Sequence, residues 1–129
     1  MKLRNDPRVT LLEKTNARYL KPEDLPALAP PPKLAAMDVS FISATLVLPA
    51  VIQAAHPEQI VVLVKPQFEV GREKVGKGGI VRDEAAQLAA VEKVRTALAE
   101  QRYDVRDVMD SPILGTEGNR EFLLYAVRS

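Results

Sequence analysis

A run of five apolar residues, 60–64, limits what this chain can fold into more than any other feature. β-branched side chains and leucine without polar alternation are typical of a strand buried on both faces of a parallel sheet. Parallel neighbours cannot be joined by a tight turn, so they need crossover connections that are usually helical. The run stops at Lys65 and Pro66. We therefore predict an α/β fold with a largely parallel sheet.

The other elements are predicted from periodicity and turn residues. Residues 20–32 are rich in proline and read as a connector, because proline removes hydrogen-bond donors and restricts the residue before it. Pro49 should kink or shorten the first helix, and Asp83 is expected to cap the second. Strands are predicted at residues 9–12, 34–39, 60–64, 103–109 and 121–127, and helices at residues 40–55 and 82–102.

Composition narrows the class of protein. With 129 residues, 47% of them hydrophobic and 27% charged, the chain has the size and make-up of one globular domain. The absence of cysteine excludes a disulfide framework and thiolate metal sites and suits a cytoplasmic protein. The N-terminus has no apolar signal core, and no apolar run approaches the roughly 20 residues that span a bilayer, so we expect no membrane partner. A net charge of +1 means that any RNA affinity needs a local basic patch.

An acid and a base are predicted to meet at one edge of the sheet. Asp38 ends one predicted strand and Lys65 ends the next. In open α/β sheets ligands bind beyond the carboxyl ends of the strands, where neighbouring parallel strands bring such residues side by side. The pair indicates either a catalytic site or a salt bridge at the rim of the sheet.

Four motifs occur in order along the chain. They are Asp-Val-Ser-Phe-Ile-Ser at 38–43, Val-Lys-Pro-Gln-Phe-Glu at 64–69, Gly-Lys-Gly-Gly-Ile-Val-Arg-Asp at 76–83 and Glu-Gly-Asn-Arg-Glu-Phe-Leu at 117–123. This series resembles the haemolysin-A-like (TlyA) family of FtsJ-type ribosomal RNA 2′-O-methyltransferases over essentially the whole chain. The resemblance implies a Rossmann-like methyltransferase fold, S-adenosylmethionine as cofactor, and ribosomal RNA or ribosomal subunits as partner, with a cytidine ribose as the acceptor.

The resemblance also implies roles for individual residues. The family uses a Lys-Asp-Lys-Glu tetrad, and Asp38, Lys65 and Glu121 match its last three members within their motifs. Asp38 also matches a position that faces the cofactor. Asn16 matches the loop that contacts the adenine of the cofactor, with a polar surface turn as the alternative reading of that segment.

Several parts of the family pattern have no counterpart in the 129 residues. These are the first lysine of the tetrad, the glycine-rich cofactor loop, the acidic residue for the cofactor ribose and the N-terminal RNA-binding domain. We therefore expect residues 1–129 to be a single, N-terminally incomplete methyltransferase domain that lacks the first two strands of the family fold. Such a chain would be inactive alone, and the alternative to an enzyme is a fragment that folds and self-associates without binding cofactor.

The missing strands have a structural consequence. In the family's sheet order they lie beside the strand at 34–39, whose edge would otherwise be bare and apolar. We predict that this edge is covered either by the first segment of the chain or by another copy of the protein, which would give a homo-oligomer.

A glycine-rich loop follows the second motif. Residues 71–77 fit the first seven positions of a phosphate-binding loop, but Gly78 stands where Ser or Thr would bind magnesium. The loop is predicted instead to be flexible and either to carry basic residues toward RNA phosphates or to be merely solvated. The basic residues are Arg72, Lys74, Lys77 and Arg82.

Three ring-bearing side chains lie near the predicted site or the end of a helix. His56, the single histidine, is expected to cap the first helix or to be exposed. Phe41 and Phe68 each lie within three residues of a candidate site residue, and could stack on a base or pack at the rim. No histidine or cysteine cluster in the sequence suggests a metal site.

Overall fold

The computed structural model describes residues 5–25, 32–115 and 118–129. In these ranges two long helices pack on one face of a four-stranded sheet. The elements are β1 (Leu34–Met37), α1 (Ala44–Ala55), β2 (Gln59–Val64), α2 (Pro66–Glu69), α3 (Glu84–Glu100), β3 (Tyr103–Asp110) and β4 (Phe122–Arg128). Single 3₁₀ turns lie at Ala17–Tyr19, Pro22–Asp24, Arg72–Lys74 and Lys77–Gly79.

The sheet has the order β1-β2-β4-β3. β1 pairs with β2 in parallel, whereas β4 is antiparallel to both of its neighbours, β2 and β3. Three of the four strands therefore run in one direction and β4 runs against them, which confirms the predicted α/β fold with a mixed sheet. β4 reverses direction because the short segment between β3 and β4 leaves no room for a helical crossover.

The core lies between the sheet and the two long helices. Alternate residues of β2 are fully buried there, Ile60, Val62 and Val64, while Val61 and Leu63 point to the opposite face and are half-buried. The sequence predicts that residues 60–64 are buried on both faces of the sheet, but in the structure they are fully buried only on the face toward the helices. We call the opposite side the open face, because in the described residues it carries no helix; its central residues are Val61, Leu63, Leu123 and Tyr125.

Helix α1 begins at Ala44, four residues later than predicted. The Ser43 hydroxyl caps it by accepting from the Thr45 amide at 3.1 Å. Glu69, from α2, accepts from the Ala44 amide at 2.8 Å, so a distant carboxylate adds a second cap. Asp and Glu at a helix N-terminus also interact favourably with the helix dipole. The preceding residues turn, with Phe41 at a φ of +66°.

The ends of the helices otherwise follow the sequence pattern. Pro49 lies inside α1 without ending it. His56 caps the C-terminus of α1 in a left-handed conformation and is exposed, as predicted. Asp83 caps α3 by accepting from the Ala85 amide at 3.1 Å, which confirms the predicted start of that helix.

The predicted strand at residues 9–12 is wrong. This segment is irregular, and Leu11 and Leu12 are each 44% exposed. A short extended segment is stable only when a neighbouring strand pairs with its backbone groups. Residues 5–25 instead pack through the turn Ala17–Tyr19 against α1. Among the described residues no strand pairs with the outer edge of β1; residues 26–31 of the proline connector lie outside the described residues.

Tyr103 is the first residue of β3, and its hydroxyl bonds to the segment before β2. Removal of this hydroxyl should destabilise the fold. The buried hydroxyl donates to the Pro57 carbonyl at 2.5 Å. We expect Tyr103→Phe to lower the free energy of unfolding by about 1–2 kcal/mol at pH 7, because the carbonyl loses its partner. Urea titration measures this, with exposed Tyr19→Phe as control; an unchanged midpoint for Tyr103→Phe would contradict it.

The same hydroxyl makes the stability depend on alkaline pH. Burial raises the pKa of Tyr103 above its usual value, against a smaller opposing effect of Arg128. The contribution of the Tyr103 hydroxyl to the free energy of unfolding is therefore complete below pH about 10, the usual tyrosine pKa. It is lost as pH rises through the folded-state pKa. The stability difference between wild type and Tyr103→Phe should shrink over that range.

Candidate functional site

Asp38 and Lys65 meet at the carboxyl ends of β1 and β2, as the sequence predicts. The Lys65 Nζ lies 2.5 Å from the Asp38 Oδ1 and donates to the Ser40 Oγ at 2.9 Å. The lysine side chain is 13% exposed and the aspartate 66%. The lysine is thus held in a nearly enclosed position while its anionic partner, Asp38, faces solvent. Ser40 was not among the predicted site residues.

Glu121 joins the same corner through the register of the sheet. The last pair of the β2–β4 ladder is Val64 with Phe122, so Lys65 and Glu121 stand opposite each other one step beyond it. Opposite residues of an antiparallel pair share a face, which here is the open face. Glu121 is 6% exposed, and its Oε2 accepts from the Gln67 Nε2 at 3.0 Å.

Because of the short helix α2, residues of the motif at 64–69 reach three different parts of the structure. Lys65 is its N-cap and Pro66 its first residue, where the missing N–H costs nothing. The chain therefore turns sharply after Lys65, which sends Gln67 toward Glu121 and Glu69 toward the start of α1. The roles of Gln67 and Glu69 were not predicted, because both depend on contacts with residues far along the chain.

An aromatic pair borders the site. The rings of Phe41 and Phe68 have their centroids 5.2 Å apart at an angle of 52°. Phe41 is 90% exposed and has a left-handed backbone, which is unusual for a bulky residue. Both rings line a cavity of about 230 Å³, whose other walls are Gln67, Val75, Gly78, Gly79 and Asn119.

The glycine-rich loop forms part of that wall, and one asparagine holds it in place. Asn119 is buried; its Oδ1 accepts from the Val81 amide at 3.0 Å, and its Nδ2 donates to the Gly79 carbonyl at 2.9 Å. The second half of the loop is therefore hydrogen-bonded to the segment before β4. The four predicted RNA-contacting residues of the loop are all exposed: Arg72, Lys74, Lys77 and Arg82.

The described residues do not enclose a complete cofactor site. The cavity beside Asp38 has a volume of about 240 Å³ and is lined by strand residues and Asp38, below the range of about 300–1,000 Å³ typical of ligand pockets. Asn16 does not line it, and its side-chain oxygen instead accepts from the Arg18 amide at 3.0 Å. Glu117, in the fourth motif, lies outside the described residues.

Two kinds of feature are absent from residues 5–25, 32–115 and 118–129. None of their helices combines the length and the apolar character needed to cross a membrane. These ranges also contain no cluster of His, Cys, Asp or Glu side chains that could hold a metal ion.

Comparison with known proteins gives a consistent family. The family model described as FtsJ-like methyltransferase matches residues 1–128. The "16S/23S rRNA (cytidine-2′-O)-methyltransferase TlyA" of Mycobacterium tuberculosis is 45% identical over 124 residues, 95% of this chain and 45% of the relative. Hemolysin A of Brachyspira hyodysenteriae is 34% identical over 127 residues, 98% of this chain and 52% of the relative.

A solved structure agrees with the sequence matches. A Lactococcus lactis protein provisionally assigned as a hemolysin superposes with a TM-score of 0.90 at 36% identity, over 99% of this chain and 61% of that one. The chain spans about half the length of the curated relatives that it matches.

Proposed function

Because the chain belongs to the FtsJ-like methyltransferase family, we propose that it supplies the corner that activates the ribose in an rRNA 2′-O-methyltransferase. FtsJ-like methyltransferases depend on S-adenosylmethionine. The observation that carries the proposal is Lys65, held between Asp38 and Ser40 and opposite a buried Glu121. The chain spans about half of its curated relatives, so the complete reaction is proposed for a complete domain.

The proposed chemistry begins with the ribose hydroxyl, which is a poor nucleophile at neutral pH. A positioned base that removes its proton during attack contributes typically 10²–10⁴-fold to the rate. We assign Lys65 as the group that binds the 2′-hydroxyl and, after its ammonium has given up a proton to solvent, receives the hydroxyl proton as the neutral amine. Asp38 orients the lysine through their ion pair, and Glu121 orients the ribose from the opposite strand. Holding the reacting groups in geometry for attack is the larger contribution.

S-adenosylmethionine would supply the methyl group. Asp38 would lie on its side of the site, whereas the role assigned to Asn16 by resemblance is weakened because its oxygen already caps a turn. Since the described residues form only part of a pocket, we propose that this chain alone does not bind the cofactor.

The substrate is proposed to be ribosomal RNA, alone or within ribosomal subunits, in the cytoplasm. The exposed ring of Phe41 beside the 230 Å³ cavity offers a stacking surface for a base. Arg72, Lys74, Lys77 and Arg82 extend from the adjoining loop, where they can contact phosphates. A cytidine target is supported by the name of the Mycobacterium tuberculosis relative.

A second candidate is a fragment that folds and self-associates without catalysis. The observations in its favour are the open face and the outer edge of β1, with which no described strand pairs. Exposed apolar surface beside a free strand edge favours association with another chain.

A chimaera tests the enzymatic proposal. This chain would replace the matching half of the Mycobacterium tuberculosis relative, and transfer of labelled methyl groups to ribosomal RNA would be measured. We expect activity in the chimaera and a loss of about 10²–10⁴-fold on Lys65→Met, because the base is removed. Lys33→Met, at an exposed position before β1, is the matched control. Equal activity of the Lys65 and Lys33 variants would refute the assigned role.

Calorimetry on the 129-residue chain tests cofactor binding. We expect no binding of S-adenosylmethionine tighter than about 1 mM, which corresponds to about −4 kcal/mol, because the described pocket is incomplete. The full-length relative serves as positive control. Clear one-to-one binding by a folded sample would reject the incompetent-fragment alternative.

Light scattering after size-exclusion chromatography tests self-association. We expect the measured mass to rise above the 14.2 kDa of one chain as concentration increases. Leu123→Lys on the open face should restore the monomer, while Leu88→Lys at an exposed position of α3 should not. A monomer at every concentration would contradict this candidate.

A further inference from the structure

We propose that Gln67 and Gly115 are positioning residues for the Glu121 carboxylate, a role that gains its catalytic meaning from the proposed function. Gln67 holds one carboxylate oxygen by a hydrogen bond, and Gly115 provides the space that the carboxylate occupies. Neither residue is expected to touch the reacting atoms.

The need for such support follows from the burial of Glu121. At 6% exposure its carboxylate has little access to water, and a buried charged group is costly unless hydrogen bonds replace the lost solvent. The Gln67 Nε2 lies 3.0 Å from the Glu121 Oε2 and supplies that bond. Lys65 lies across the corner from Glu121. Its short contacts are with Asp38 and Ser40.

The orientation of the Gln67 amide follows from its partner. Only the amide nitrogen can donate to a carboxylate oxygen, and the reverse orientation would place two oxygens in contact. Within the described residues this leaves the Gln67 Oε1 buried without a hydrogen-bond partner. A buried amide that leaves its own acceptor unpaired is costly, which indicates that the side chain is fixed by its contact with Glu121.

Gly115 contributes through the absence of a side chain. A Cβ at this position would collide with both oxygens of the Glu121 carboxylate. Its φ is not positive, so what this glycine contributes is space for the carboxylate in its present position and not an unusual backbone conformation. The loop closes tightly here, because the Gly115 amide donates to the Asn119 carbonyl at 2.8 Å and its carbonyl accepts from the Gly118 amide at 3.0 Å.

The two positioning residues separate the functions of the two carboxylates. Asp38 pairs with Lys65 at 2.5 Å, while Glu121 is held by Gln67 and enclosed by the loop at Gly115. Glu121 therefore keeps a defined direction at the end of β4 and does not collapse onto the lysine.

The experiment is a pH titration of side-chain ¹³C and ¹⁵N NMR signals in the 129-residue chain, without cofactor or RNA. In wild type, the Gln67 side-chain amide signals should follow the titration of the Glu121 carboxyl signal. In Gln67→Glu, we expect the midpoint of the Glu121 signal to move up by about one pH unit or more, because two adjacent carboxylates resist joint ionisation. Gln67→Leu should move it up by less.

Controls separate a local effect from a general one. Gln53→Glu adds the same charge at an exposed position of α1 and should leave the Glu121 titration unchanged. Gly115→Ala should shift the Glu121 and Gln67 signals even at neutral pH, because the carboxylate must move.

The proposal is overturned if the wild-type Gln67 signals do not change as Glu121 titrates. This result does not depend on whether any variant folds. It is also overturned if Gln67→Glu titrates as wild type does. Failure of the methylation chimaera with a normal titration would reject the proposed function alone, so the two outcomes are distinguishable.

Discussion

The register between β2 and β4 is the constraint on which the rest of the site depends. Pairing of Val64 with Phe122 places Lys65 opposite Glu121, and the parallel pairing of β1 with β2 places Asp38 within reach of the same lysine. A slip of one residue would turn each of these side chains to the other face of the sheet. The site is therefore a consequence of strand pairing, and α2 only turns the chain away once Lys65 is in place.

The two faces of the sheet divide the molecule. One face is closed by α1 and α3 over a continuous apolar core, and this accounts for the fold of the described residues. The open face carries half-buried apolar side chains and, at its carboxyl edge, the candidate site. The candidate site and the incompletely buried apolar side chains of the sheet thus lie on the same face, the open face. Within the described residues, the cavity beside Asp38 is lined only by strand residues and Asp38 itself.

Local pattern predicted most elements, and its errors have identifiable causes. The strands at 60–64 and 103–109 and the cap at Asp83 are confirmed, because each depends on residues close in sequence. The strand at 9–12 is wrong because a strand also needs a partner. The first helix begins later than predicted because Glu69, 25 residues away from the Ala44 amide, caps it there. Which strand runs antiparallel was not predicted, because pattern does not reveal strand order.

The sequence by itself determined the family, the α/β class and the contact between Asp38 and Lys65, because motifs and strand ends are local properties of the chain. Tertiary structure decided the surroundings of that contact. Gln67 and Glu121 are 54 residues apart and Asn119 is 38 residues from the Val81 amide that it binds. Contacts at such separations depend on register, loop closure and the space left by Gly115, which no local periodicity encodes.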